Sequence, residues 1–362
     1  MNVDWNWIKQ RPHFLAEHLQ AYHELLIVNQ FRYIKKGYQK RIYSDNIFLM
    51  RVLPRIDRYK GLSQINIFLK KKIIKKILLK FQPEFLYLTC PGQYEWIPVN
   101  YEGKIIYDCM DDHLGLERNK TQRKKIYQNE EKICEKADLL IVSSRYLKEI
   151  LCKRYGKYIL QKANVIRNGY SEDIINCDKL KKTEKHGKKF VICYFGTISY
   201  WFDFELILKS LQDFDNIEYL LIGPLHKNMK VIQNKRIRYK GTVEHNMLVE
   251  YAFEADCFVM PFILSESIRA VDPVKLYEYI SFNRNIICVR YGEVERFSDF
   301  AYLYNGYIEY KNILMKLIHN NNLKYTLDMK RNFLKNNTWK NRALEINKLL
   351  LEMLENQKNE EI

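Results

Sequence analysis

Apolar residues along this chain follow two rhythms. Short runs rich in β-branched residues and tyrosine, such as Leu25–Asn29, Phe85–Thr89 and Phe190–Phe195, alternate with stretches whose apolar positions recur every three or four residues. Short continuous apolar runs suit strands buried on both faces, and strands alternating with amphipathic helices build parallel α/β sheets. The first half predicts further strands at Lys104–Tyr107, Asp138–Val142 and Asn164–Arg167, and helices over Pro12–Gln20, Ile65–Phe81, Gln122–Lys136 and Ser144–Lys153. The second half predicts strands at Ile217–Ile222, Ile237–Lys240, Asp256–Phe262 and Asn285–Val289, with helices over Glu205–Gln212, Leu248–Glu254 and Pro273–Phe282. A last helical period runs through Thr338–Glu355.

A polar, lysine-rich stretch separates the two α/β patterns. It sets the expected division: 1–170 as a first domain, 171–189 as linker, 190–337 as a second domain, and 338–362 as a closing helix and tail. A first domain of this type normally opens on a full buried strand, yet only Met1-Asn2-Val3 precede the loop Asp4–Arg11. Either the opening strand is expected to be unusually short, or the N-terminus has been lost or mis-assigned.

Charge sharpens the picture. The net charge is +17, and it is uneven: residues 1–180 hold 33 Lys and Arg against 20 Asp and Glu, residues 181–362 hold 27 against 23. A basic first half calls for an anionic partner: phospholipid, a phosphorylated acceptor or nucleic acid. The eight cysteines are scattered, without a C-x-x-C pair or a nearby histidine, as expected of reduced core thiols. No run reaches the roughly 20 apolar residues of a membrane span, and the first ten residues lack a secretory layout. The expected place is the cytosol, with peripheral contact to the inner face of the cell membrane.

Three stretches carry candidate chemistry. In Asp272-Pro273-Val274-Lys275-Leu276-Tyr277-Glu278-Tyr279, Asp272 suits an N-cap and Pro273 the first helical position, so the helix start can attract phosphate. Lys275 adds a full charge there, and Glu278, one turn on, can accept ribose hydroxyls. An exposed Lys–Glu helix pair is the plain alternative. Gly196 ends a strand where backbone can approach a phosphate or sugar closely. Asp108, Asp111 and Asp112 follow the strand Lys104–Tyr107, beyond whose carboxyl end ligands bind in open α/β sheets. Clustered acids raise one another's pKa, so Asp111 or Asp112 is the candidate general base, with a helix cap plus a solvated acid as the alternative. Trp7, Gln10, Arg11 and His13 form a polar-aromatic cluster: Arg11 could hold a diphosphate, Trp7 could stack on a sugar, and His13 is a second candidate base, with a structural histidine in the first helical turn as the plain alternative.

Together these motifs resemble the GT-B glycosyltransferases of bacterial polysaccharide and teichuronic-acid biosynthesis. The resemblance spans Trp7–His13, Tyr107–Asp112, Ala137-Asp138 with Ser143-Ser144, Val165–Gly169, Tyr194–Gly196, Tyr200–Asp203, Gly241–Val243 and Asp272–Tyr279. It implies two Rossmann-like domains with parallel sheets facing across a cleft, the first receiving the acceptor and the second the nucleotide-sugar donor. It also implies that Gly241 and Thr242 cradle the nucleobase, that Trp7, Gln10 and Arg11 meet the acceptor, and that no metal or other cofactor is needed. Many retaining members carry two glutamates eight residues apart. Counting back from Glu278 reaches Ala270, leaving Glu266 or Asp272 as substitutes. The inverting glucuronosyltransferase type, with a lysine at the place of Lys275, points the other way.

The implied activity is transfer from a nucleoside diphosphate sugar, UDP-linked by preference, to a glycan or lipid-linked acceptor for cell-surface polysaccharide. A nucleotide-sugar epimerase of the same fold and a basic nucleic-acid-binding protein are the alternatives, although no nucleic-acid-binding motif is visible. Finally, Lys70–Lys80 places Ile73, Ile74, Ile77 and Leu78 at helical spacing among six lysines. That helix is expected to lay its apolar stripe on an anionic membrane, or else to pack it against the sheet; the two hold together if only the lysines touch lipid.

Overall fold

The computed structural model describes residues 5, 9–30, 46–52, 60–171, 189–226, 229–230, 232–243 and 247–360. They belong to two compact units, Met1–Asn168 with Trp339–Ile362, and Gly169–Thr338. The expected opening strand at Met1–Val3, Trp7 and nearly all of the expected linker lie outside the described residues.

The first unit runs α1 (Arg11–Leu19), β1 (Leu25–Gln30), β2 (Ile47–Val52), α2 (Lys60–Phe81), β3 (Phe85–Leu88), a 3-10 turn (Pro91–Trp96), β4 (Lys104–Cys109), α3 (His113–Leu116), α4 (Lys120–Lys136), β5 (Leu139–Val142), α5 (Arg145–Tyr155), α6 (Ile159–Lys162) and β6 (Ala163–Val165). Strands β3 to β6 form a parallel sheet in sequence order, while β1 and β2 pair separately, also in parallel. All four residues of β5 are buried, as its unbroken apolar run demands. The helices start on sequence-encoded caps: Asn119 Oδ1 accepts from the amides of Thr121 and Gln122, and Ser144 Oγ accepts from Leu147 at 3.0 Å.

Helix α2 packs its expected apolar stripe within its own unit. Ile74 and Ile77 are buried, with Leu26 and Val28 of β1, Ile73, Leu78 and Trp96 packed around them. The stripe Ile73, Ile74, Ile77, Leu78 therefore holds the helix to its own unit and is not available to lipid.

The second unit runs β7 (Phe190–Phe195), α7 (Phe204–Asp213), β8 (Ile217–Ile222), β9 (Ile237–Tyr239), α8 (Leu248–Glu254), β10 (Cys257–Met260), α9 (Glu266–Arg269), α10 (Val274–Ser281), β11 (Asn285–Val289), a 3-10 turn (Gly292–Phe297), β12 (Ala301–Tyr304), α11 (Tyr307–His319) and α12 (Leu327–Asn336). Its six strands lie in the order β12-β11-β10-β7-β8-β9, all parallel. That is the doubly wound Rossmann order, in which the chain starts at the middle and reverses direction between β7 and β10. The reversal opens a crevice beyond the carboxyl ends of these two strands. Both are buried along nearly their whole length, so the crevice sits on a rigid floor.

The chain then returns to the first unit as α13 (Trp339–Glu360). Trp339 stacks on Phe14 of α1 with ring centroids 5.1 Å apart, and Asn347 meets His23 Nε2 at 2.8 Å. Among the described residues no helix is long and apolar enough to cross a membrane, and the seven described cysteines are free thiols.

Candidate active site

In the second unit the crevice at the β7–β10 reversal is built from two glycines and a lysine. Gly196 follows β7 with φ +141°, and Gly223 follows β8 with φ +131°, a region L side chains rarely adopt. A Cβ on Gly196 would stand 1.9 Å from Lys275 Cε and 2.8 Å from its Nζ; one on Gly223 would stand 2.1 Å from the Gly196 carbonyl oxygen. Lys275, in the first turn of α10, thus lies directly over the Gly196 backbone, and only glycine leaves room for it. Tyr279, one turn on, fixes the helix there: its hydroxyl bonds the Phe195 backbone at 3.3 Å and its ring stacks on Phe258 at 4.5 Å. An ammonium held at a helix start over bare backbone can receive a diphosphate. Glu278 is half-buried, three residues after Lys275.

Asp272 takes another part than the expected one. It is buried, its carboxylate pairs with Arg296, and the residue preceding α10 is Pro273, without a side-chain cap. Arg296 in turn lies over the Phe297 ring at 4.1 Å. The carboxylate anchors the loop before α10 through Arg296 and does not cap the helix. Gly241, at φ +69°, follows β9 and its carbonyl accepts from the Gly223 amide at 2.7 Å; Thr242 beside it is exposed.

In the first unit the three aspartates after β4 separate sharply. Asp108 is 1% exposed and its carboxylate accepts from Arg11 Nε at 2.9 Å and from the Tyr87 hydroxyl at 2.9 Å. Arg11 also donates to the Arg167 carbonyl at 3.0 Å and to Asn168 Oδ1 at 3.2 Å. Its guanidinium is committed to the interior, which corrects the expectation of an acceptor-binding role. Asp112 caps α3 through the Gly115 amide at 2.9 Å and holds Arg154 at 2.5 and 3.0 Å, so it is a structural acid and not the base. His13 is fully buried against the Trp5 ring, its Nδ1 accepting the Gln10 amide at 3.1 Å. That hydrogen bond makes it a helix-start brace, and its role as a base falls away. Gln10 is exposed beside it.

Asp111 remains. It is half-buried on the wall of a 1260 Å³ cavity, which His113, Glu95, Trp96, Lys70 and Lys71 also line. Burial pushes its pKa above the usual carboxylate value, with Asp112 and Asp108 adding to the rise and His113 and Arg11 opposing it. His113, a residue the sequence reading passed over, presents a buried Nε2 with no hydrogen-bond partner. Among the described residues it is the imidazole nearest in sequence to a candidate base.

No protein-family model matches the chain. Sucrose-phosphate synthase from Thermosynechococcus elongatus superposes with a TM-score of 0.75 over 95% of this chain and 92% of its own, at 14% identity. Anabaena HepE, solved in complex with UDP and glucose, gives a TM-score of 0.55 over 85% and 86%, at 13% identity. The chain has the GT-B glycosyltransferase fold. Among curated proteins, TuaH of Bacillus subtilis (strain 168), which carries a provisional name as a teichuronic acid biosynthesis glycosyltransferase, is 23% identical over 320 residues, 77% of this chain and 76% of TuaH. Both units carry the parallel strands expected of GT-B, the first in two separate sheets and the second in one, and in the six-stranded sheet the glycine–lysine seat lies beyond the strand ends, where a Rossmann-like crevice binds its ligand.

Proposed function

We propose that the chain is a glycosyltransferase that moves a sugar from a nucleoside diphosphate sugar, with uridine as the base, to a glycan or lipid-linked acceptor at the inner face of the cell membrane, in cell-surface polysaccharide synthesis. The observation that carries this reading is the seat formed by Gly196, Gly223 and Lys275. The UDP and glucose held by HepE and the provisional name of TuaH support the donor class and the reaction.

The chemistry divides between the units. In the second, Lys275 neutralises the diphosphate and Glu278 accepts the ribose hydroxyls, with Gly241 and Thr242 at the base. In the first, Asp111 removes the proton from the acceptor hydroxyl as its oxygen attacks the anomeric carbon. The bond from that carbon to the diphosphate oxygen breaks, and the nucleoside diphosphate leaves with the electron pair. A single displacement of this kind inverts the anomeric centre. Ala270 stands where paired-glutamate members carry an acid, while Glu266 is exposed four residues before it, so the anomeric configuration of the product tests this reading against a retaining one.

Lys275→Ala and Glu278→Ala each remove a charged hydrogen bond worth about 1.5–3 kcal/mol, so UDP affinity should fall roughly tenfold to hundredfold. Calorimetric titration with UDP, GDP and ADP checks it. Unchanged affinity for all three in both variants would overturn the donor assignment.

A further inference from the structure

The buried stripe of α2 leaves its opposite face outward, and that face is apolar and basic at once. Ile65 is 56% exposed, Phe68 55%, Leu69 41% and Leu79 67%. At 100° per residue these four fall within one side of the helix, and Lys72, Lys75, Lys76 and Lys80 fall between and beside them, all exposed. Lys72 Nζ lies 4.6 Å from the Phe68 ring centroid, the pose of a lysine stem laid along apolar surface with its charge at the rim. The 22-residue helix contains seven lysines and no acidic residue. Bare surface leucine is ordinary; four large apolar side chains at helical spacing among exposed lysines are not.

We propose that this outward face, from Ile65 to Lys80, is a docking surface for an anionic lipid bilayer. Apolar side chains enter the headgroup boundary and the lysines hold lipid phosphates, the arrangement of an interfacial helix. Charge decides for the bilayer over a neutral partner, since the exposed Lys72, Lys75, Lys76 and Lys80 of an acid-free helix, on a chain of net charge +17, attract an anionic sheet. The same helix supplies Lys70, on its buried side, and Lys71 to the wall of the cavity that holds Asp111, so docking through the outward face leaves that cavity one helix diameter, roughly 10 Å, from the bilayer. The inference deepens the proposed reading by naming the surface through which a lipid-linked acceptor is reached.

Flotation of the full chain with vesicles of phosphatidylglycerol and phosphatidylcholine tests it. Neutralising one lysine near such a surface lowers partitioning about fivefold, so Lys72, Lys75, Lys76 and Lys80 all changed to Gln should lower it by several hundredfold. Ile65→Ser, Phe68→Ser and Leu69→Ser together should lower it about tenfold or more, and that loss should persist at high salt, where charge is screened. Both variants should retain wild-type circular dichroism, wild-type UDP affinity and wild-type transfer to a water-soluble acceptor. Wild-type protein that ignores anionic vesicles yet transfers sugar to the soluble acceptor overturns the docking face and leaves the glycosyltransferase reading standing. Vesicle binding that survives both variants places the surface elsewhere, and also overturns it. Loss of transfer with every acceptor, vesicle binding intact, counts against the reading of function and not against the face.

Discussion

Asp111→Asn should lower turnover by about 10² to 10⁴ while leaving UDP affinity unchanged, because a base acts on the acceptor proton and not on the donor. Asp112→Asn should instead lower stability, since the amide oxygen can keep the cap on Gly115 but the charge and the second oxygen that hold Arg154 are lost. The pH profile gives the sharper signature. Burial raises the Asp111 pKa, so the ionised base is lost as pH falls through a value above that of an ordinary aspartate, and the acid limb of kcat/KM should be displaced upward accordingly. In Asp111→Asn that limb should vanish. Linkage adds an independent mark. A carboxyl with a raised folded pKa contributes stability that is present at low pH and lost as pH rises through that value. At neutral pH the wild type carries a desolvated charge that Asn lacks, so the variant should melt higher at pH 7 while turning over more slowly. Equal rates, equal pH profiles and equal melting in wild type and Asp111→Asn would falsify the assignment.

Arg11→Ala should cost about 3–5 kcal/mol of stability, because it strands the Asp108 carboxylate in the interior of the first unit. For a unit of this size that is a fall in Tm on the order of 10 °C. Arg11→Leu with Asp108→Leu should recover much of the loss, since two apolar side chains leave no uncompensated charge. Scanning calorimetry reads both. An Arg11→Ala protein of unchanged Tm but raised KM for the acceptor would return Arg11 to the acceptor-binding role expected of it from the sequence alone.

The residues that the sequence reading places well and those it misplaces differ in a physical way. Strands β7, β8 and β11 match their expected bounds because an unbroken apolar run between polar flanks has few other fates. Helix α11 was legible in principle, for Tyr310, Leu314 and Leu317 recur at helical spacing on its buried face. Strand β2 was missed although Ser44-Asp45-Asn46 and Pro54 bracket it, because Arg51 interrupts its apolar run Ile47–Val52. The glycine–lysine seat was half legible, since Gly196 and Lys275 each stand out but their contact spans 79 positions. Arg11, Asp112 and Asp272 were misread for one reason. Each is half of a buried arginine–aspartate pair whose partner lies far along the chain, and nothing local marks an acid as already engaged. Asp111 keeps its candidacy because neighbouring Asp108 and Asp112 are both engaged elsewhere.

The return of the last helix to the first unit has a consequence for how the protein is made. Residues 169–338 form one unbroken stretch and can complete their fold as soon as they leave the ribosome. The first unit cannot: Trp339 on Phe14, Asn347 against His23, and Arg342 Nε donating to the Asn168 carbonyl at 3.1 Å all wait for the final residues. The usual order of N-terminal domain first is thereby inverted. During synthesis the basic first unit is left with an uncovered α1 surface throughout the time its partner is being translated. That open surface makes the nascent first unit the half most dependent on chaperones, and makes loss of the last helix a lesion felt at the opposite end of the chain.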